Sequence, residues 1–412
     1  MISRDRTIKG FIILISFLYI FEYTSYGQVI SGAKYIVMLL GVLLLVLERR
    51  GEFFCLPKTY SALFIAIGFV LIPMFQSVAK GSRGIAMYLV VMLVFLIFAY
   101  STGEGYLDTD EKLQWFVTTF AVIGTVVIAM CFLLNFSNPF NISAIMSNFS
   151  TELSNSDITV ALTKRERSAF GFMHVNSLGG ICLAVMAGLS MSKPERKVFK
   201  VLRIFAILFI LLIVLNTGSR ASIYGIVAYF LTLGTERLYY KSSEVFKLVL
   251  KILLAAICVY VLTIVVSTLT NNFDFANQLT SGRLEGWLYD IEKMATDGTL
   301  LFGYGMYNPT AFFSQSFASG MIVDNWYVYM IVNIGFVGFI SCVLLIISFF
   351  RRLLQKCSYS QNAMALNVLA LFVANLFRAM AEKSFITPAD PISFFMLVVV
   401  FAMIWKKRRI YR

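Results

Sequence analysis

Charge is scarce in this sequence. Asp, Glu, Lys and Arg make up 14% of its 412 residues, against roughly 25% in soluble domains. There is one histidine, His174. The six cysteines (Cys55, Cys131, Cys182, Cys258, Cys342 and Cys357) are scattered, with no CxxC pair. A disulfide framework and a structural zinc site are therefore not expected. No Walker motif and no GxGxxG fingerprint occurs, so nothing suggests a nucleotide cofactor or an ATP-driven pump; no cofactor or metal is implied. No internal repeat, low-complexity tract or soluble domain stands out, and residues 1–412 read as a single integral membrane domain. The first apolar run follows Arg4, Arg6 and Lys9 as a secretion signal would. No small-residue cleavage site closes it, so it reads as a retained first helix.

What is abundant is apolar surface. The chain is 59% hydrophobic with a mean hydropathy of +0.81, and long apolar windows recur from end to end. That pattern predicts an all-α polytopic membrane protein rather than a β-barrel, whose segments are short and alternating. About twelve transmembrane helices are expected, near residues 10–27, 32–48, 60–78, 85–101, 115–135, 170–191, 199–217, 220–237, 248–269, 324–349, 362–380 and 391–405. With cytoplasmic N- and C-termini, 24 of the 35 Lys and Arg fall in cytoplasmic segments, in keeping with the positive-inside rule. Orientation thus accounts for most of the +13 net charge, and nucleic acid is not an expected partner. Two external loops stand out by length, 135–170 and 270–323; long ordered loops are often functional.

Topology does not explain the arginines left on the external side. Arg165 and Arg167 end the first long loop, and Arg220 lies in the turn Thr217-Gly218-Ser219-Arg220. Arg283 lies in the second loop, and Arg378 near the external end of the eleventh span. Each must pair with an acid, meet a lipid headgroup or hold an anion. The guanidinium fork matches phosphate oxygens, and several together could cradle a pyrophosphate such as that of a polyprenyl-linked sugar. Preorganised arginines can neutralise a leaving diphosphate without a metal. Acids on this side are sparse, and the candidates among them are Asp157, Glu285, Asp290, Asp324, Glu382 and Asp390. Asp324, beside Asn325 at the start of a long apolar helix, suits a helix N-cap or a general base for a sugar hydroxyl. His174, two residues before Asn176, suits a structural role or a contact to phosphate or sugar.

Four blocks carry a family resemblance. They are Arg167-Ser168-Ala169-Phe170-Gly171-Phe172-Met173-His174-Val175-Asn176; Asn216-Thr217-Gly218-Ser219-Arg220-Ala221-Ser222; Ser281-Gly282-Arg283-Leu284-Glu285-Gly286-Trp287 with the later Gly303-Tyr304-Gly305; and Asp324-Asn325 with Gly335 and Gly338. In order and in frame, over roughly residues 160–340, they resemble the O-antigen ligase and Wzy-type polymerase superfamily. The resemblance implies a metal-independent, inverting glycosyltransferase of the GT-C type. Its donor pyrophosphate would lie on Arg167 and Arg220, with Arg283 as a further candidate. Ligases of the family carry a His where this chain has Asp324, which favours a polymerase over a lipid A-core ligase.

The expectation is therefore a bacterial inner-membrane polymerase. It would join undecaprenyl-diphosphate-linked oligosaccharide repeat units into an O-antigen, capsular or exopolysaccharide on the external face. Arg167, Arg220 and Arg283 would stabilise the leaving group, and Asp324 or His174 would orient or deprotonate the acceptor hydroxyl. Arg165, Asn176, Glu285, Asn325 and Arg378 are secondary candidates. Membrane lipid, a polysaccharide chain-length regulator and a flippase are the expected partners. Two rivals stay open: a ligase moving finished glycan to another acceptor, and a lipid-linked oligosaccharide flippase. Transporters usually show related halves with polar or broken helices at mid-bilayer.

Overall fold

The computed structural model describes residues 4–49, 60–135, 169–241, 283–305, 324–360 and 363–404, with isolated positions at 243, 263, 273, 274 and 277. These residues are almost entirely helical; the one β-bridge among them joins Thr24 to Phe172. The helices are α1 (Arg4–Phe21), α2 (Ala33–Arg49), α3 (Tyr60–Lys80), α4 (Arg83–Tyr106), α5 (Asp110–Leu134) and α6 (Val175–Met191). They continue with α7 (Lys197–Thr217), α8 (Arg220–Lys241), α9 (Arg283–Thr296), α10 (Trp326–Ser360), α11 (Ala363–Arg378) and α12 (Pro391–Ile404).

Five of them, α3, α4, α5, α7 and α10, are long and apolar enough to cross a membrane, and the chain is membrane-embedded on that ground. The expected ninth span, 248–269, apart from residue 263, and most of both long loops lie outside the described residues. The first helix ends at Phe21 rather than near 27 because the chain turns there: Gly27 N–H bonds back to Thr24, and Glu22 reaches Lys34 at 3.1 Å. The tenth helix runs beyond its apolar stretch to Ser360, carrying Arg351, Arg352 and Lys356 with it.

A helix that is apolar all round must be covered all round. Every residue of α12 is buried, as are most residues of α6 and α11. The other helices wrap this trio: α8 packs on α11, α5 and α7 on α6, and the π-helical last turn of α4 on α12. α7 shows the opposite pattern, exposing Phe199, Leu202, Phe205 and Leu208 along its outer side. Apolar surface of that extent belongs against lipid.

One helix is broken. Inside α10, Gly335 has φ 68° and ψ −176°, a conformation open to glycine and rarely to other residues. The chain after α9 fills the break. Tyr304 and Gly305 donate to the carbonyls of Val332 and Asn333 at 2.9 Å, and Phe336 donates to Leu300 at 2.9 Å. A side chain on Gly303 would strike the Asn333 carbonyl, and one on Gly335 the Leu301 carbonyl. The Gln76 amide donates to Phe302 O and Asn333 O, and Lys80 Nζ to Tyr304 O. The break lies about 14 Å along the helix from Trp326 at 1.5 Å per residue. Irregular backbone at such depth survives only where its polar groups find partners within the protein, and residues 300–305 supply them.

Candidate functional site

Several helix ends meet at one end of the bundle. They are the 22–33 turn, residues 169–175, the turn between α7 and α8, the starts of α9 and α10, and the connection 379–390. Tyr19 and Tyr23 donate to the carbonyls of Pro388 and Ala389, Met173 N–H bonds to Tyr23 O, and Trp326 N–H bonds to Ala379 O at 2.9 Å. The buried Trp326 ring meets Phe385 edge-on at 5.0 Å. The start of α10 and the 379–390 connection are thereby held together.

Two of the sequence blocks meet here. Arg283 opens α9, Asp324 precedes α10, and a guanidinium nitrogen of Arg283 lies 2.9 Å from Asp324 Oδ2. The capping work falls to Asn325, whose Oδ1 accepts from the N–H groups of Tyr327 (2.9 Å) and Val328 (3.2 Å). The Asp324 carboxylate is thus available to Arg283. Arg220 begins α8 after a tight turn: Gly218 is left-handed (φ 58°), Ser219 N–H bonds to Thr217 Oγ1, and Ser219 Oγ to Ser222 Oγ. Arg220 is half-buried, and its positive charge interacts unfavourably with that of Arg283. Two guanidinium groups in mutual reach, with one of them paired to an acid, leave a cationic surplus that an anion would relieve.

The 379–390 connection adds two charged groups. Glu382 accepts a hydrogen bond from the Asn176 side-chain amide. Burial pushes its carboxyl up to about 7; Asp324 pushes the same way, while Arg378 and Arg283 oppose it. Lys383 Nζ has no hydrogen-bond partner among the described residues and lies 5.5 Å over the Tyr329 ring. Burial lowers its pKa, with Asp324 and Glu382 opposing.

The remaining candidates divide by burial. Arg378 is 2% exposed. It donates to Asn176 O at 2.9 Å, faces Asp390 at 3.7 Å and lies against Gly180, so it ties α11 to α6 and α12 from inside. His174 is exposed and caps α6, its Nδ1 accepting from Asn176 N–H at 3.2 Å. Glu285 is exposed on the first turn of α9, its N–H bonded to Asn277. Arg165 and Arg167 lie outside the described residues, as do Asp157, Cys55 and Cys258. Cys131, Cys182, Cys342 and Cys357 are buried free thiols. Among the described residues, no group of three or more His, Cys, Asp or Glu could hold a metal ion.

Sequence reasoning placed Glu382 among the external acids without singling it out, and passed over Lys383. Neither has a local signal, because what distinguishes them is tertiary packing against α6 and α10. A second buried pair was also missed: Lys34 meets Glu22 at 3.1 Å and donates to Ala389 O at 3.0 Å. The rings of Tyr19, Tyr23 and Tyr35 surround its ammonium. No family model matches the chain, and no curated protein matches it.

Proposed function

We propose that this protein is a polymerase of lipid-linked glycan repeat units, acting at the external face of a bacterial plasma membrane. The observation that carries the reading is the gathering of Arg283 and Lys383 around Asp324, with Arg220 in the field of Arg283, at one end of an apolar helical bundle. A diphosphate carried on a polyprenyl chain suits such a place: its lipid belongs beside the apolar helices and its phosphates at their cationic ends. On this reading the growing chain is the donor. A hydroxyl of an incoming lipid-linked repeat attacks the donor's anomeric carbon from the side opposite the diphosphate. As the carbon–oxygen bond to the diphosphate breaks, the electron pair leaves with the phosphate oxygen, where Arg220, Arg283 and Arg167 meet the developing charge. Asp324 holds Arg283 in position for that role.

The test is genetic. In a strain deleted for the gene, restored wild type should return a ladder of glycan lengths on a gel. Arg220→Ala should leave single-repeat bands. An unchanged ladder with Arg220→Ala would count against the site. Loss of all surface glycan in the deletion strain, single repeats included, would count against polymerisation and favour a ligase or flippase.

A further inference from the structure

Glycosyl transfer of this kind needs a group to take the acceptor's proton, within the same site but across the anomeric carbon from the cations that receive the leaving group. Five carboxylates stand at this end of the bundle. Glu285 is exposed on the first turn of α9, and three of the other four are engaged. Asp324 is paired with Arg283 at 2.9 Å, and Glu22 with Lys34 at 3.1 Å. Asp390 is buried, receives the N–H of Ser393 at the start of α12 and faces Arg378.

Glu382 differs from all three. Among the described residues it has no ion-pair partner; its Oε1 takes a hydrogen bond from the neutral amide of Asn176. Its Oε2 has no hydrogen-bond partner among those residues. The residue as a whole is only partly buried, and the proposal requires that a sugar hydroxyl reach its carboxyl. Its support is rigid. Arg378 fixes the Asn176 carbonyl from below, Asn375 Nδ2 donates to Ser384 O, and Ser393 Oγ donates to the same carbonyl. A carboxylate held by its neighbours loses little on aligning with substrate.

We propose that Glu382 is the proton acceptor for the attacking hydroxyl, an assignment that rests on the polymerase reading above. As the hydroxyl oxygen bonds to the anomeric carbon, its proton passes to Glu382 Oε2. The electron pair of the broken carbon–oxygen bond leaves with the diphosphate, and the proton is later released to water. Charges facing Glu382 are those of Arg378 on α11, Asp324 before α10, Arg283 on α9 and Asp390 before α12, with Lys383 adjacent on its own connection. Together with burial they hold its carboxyl at about 7, where a base can be ionised at neutral pH and still take up a proton readily.

The experiment uses the full chain in phospholipid nanodiscs, with the diphosphate-linked glycolipid extracted from the deletion strain as probe. Elongation is followed from about pH 5 to about pH 9. Wild-type turnover should rise with a midpoint near 7. Glu382→Gln should lower turnover on the order of 10²- to 10⁴-fold, leave KM for the glycolipid nearly unchanged and abolish the rise. Glu382→Asp should keep part of the turnover with a lower midpoint. Wild-type turnover in Glu382→Gln, or the same pH midpoint, would overturn the assignment. If the Gln variant does not fold, the wild-type profile decides: a flat profile overturns the proposal. Wild type failing to lengthen the glycolipid at all would instead overturn the polymerase reading.

Discussion

The guanidinium of Arg283 and the carboxylate of Asp324 face each other at 2.9 Å, joining the start of α9 to the start of α10. The pair is 37% and 26% exposed, so its contribution to stability is at most about 1 kcal/mol. Its importance would be positional. Arg283→Ala and Asp324→Ala should each reduce elongation by on the order of 10²-fold or more, since removing a charge-stabilising donor has that effect elsewhere. Thermal unfolding of the same variants should shift by only a few degrees. The double charge swap, Arg283→Asp with Asp324→Arg, should restore the pair and the stability but not the ladder. A swap that elongates normally would show that the pair serves packing alone.

Replacing Gly335 or Gly303 by Ala should be among the most damaging changes in the chain. Each glycine has positive φ, 68° and 72°, and a methyl group on either would strike backbone of the other segment. Backbone cannot step aside as a flexible side chain can. Strain and clash together should cost about 3 kcal/mol or more, read as a lowered unfolding temperature in detergent. Gly338→Ala, on the same helix but without positive φ and with the Ile334 side chain rather than backbone as its nearest obstacle, should cost less.

Arg378→Ala would leave Asp390 buried without the facing guanidinium and remove the side-chain donor to the Asn176 carbonyl. A loss of about 3–5 kcal/mol is expected for breaking such a pair. Gly180→Ala should mimic part of it, because the added methyl meets the Arg378 guanidinium. Both should lower the yield of folded protein in membranes. Glu382→Gln, which keeps a neutral group of the same size, should not.

Glu382 also predicts a pH dependence of stability. In the folded chain it keeps its proton up to about 7, whereas an ordinary glutamate releases it near 4.5. The folded state therefore binds more protons over that interval. The stabilisation is fully present below about 4.5 and lost as pH rises through about 7. Glu382→Gln should gain on wild type by of order 1–3 kcal/mol between those limits. Parallel unfolding curves at both pH values would rule the shift out.

Much of the helical frame is legible in the sequence. The expected segment at 391–405 appears as Pro391–Ile404, and the turn at Gly218 appears between two helices rather than inside one. These follow from apolar length and from glycine at a helix end. Asp324 and Arg283 also stand out locally, as charges bordering apolar runs. Three things are not readable in this way. Asp and Asn are about equally good caps, so only the geometry tells which of Asp324 and Asn325 does the capping. The bond between Asn176 and Glu382 spans 206 residues and depends on α6 and α11 being neighbours. The break at Gly335 depends on a partner segment about 30 residues upstream, residues 300–305, so its glycines look like loop and packing residues until the two backbones are seen together.

The buried Glu22–Lys34 pair bears on how the chain is made. Its members lie 12 residues apart, at the facing ends of α1 and α2, so this hairpin carries its own counter-ion from the moment it leaves the ribosome. It can enter the bilayer as a net-neutral unit at that end, before any of the last helices exist. Arg378 and Asp390 likewise flank a single connection and neutralise each other within the last hairpin. The Lys34 bond to Ala389 then clasps the α1–α2 hairpin to the connection before α12, so that contact forms only after 355 further residues have been made.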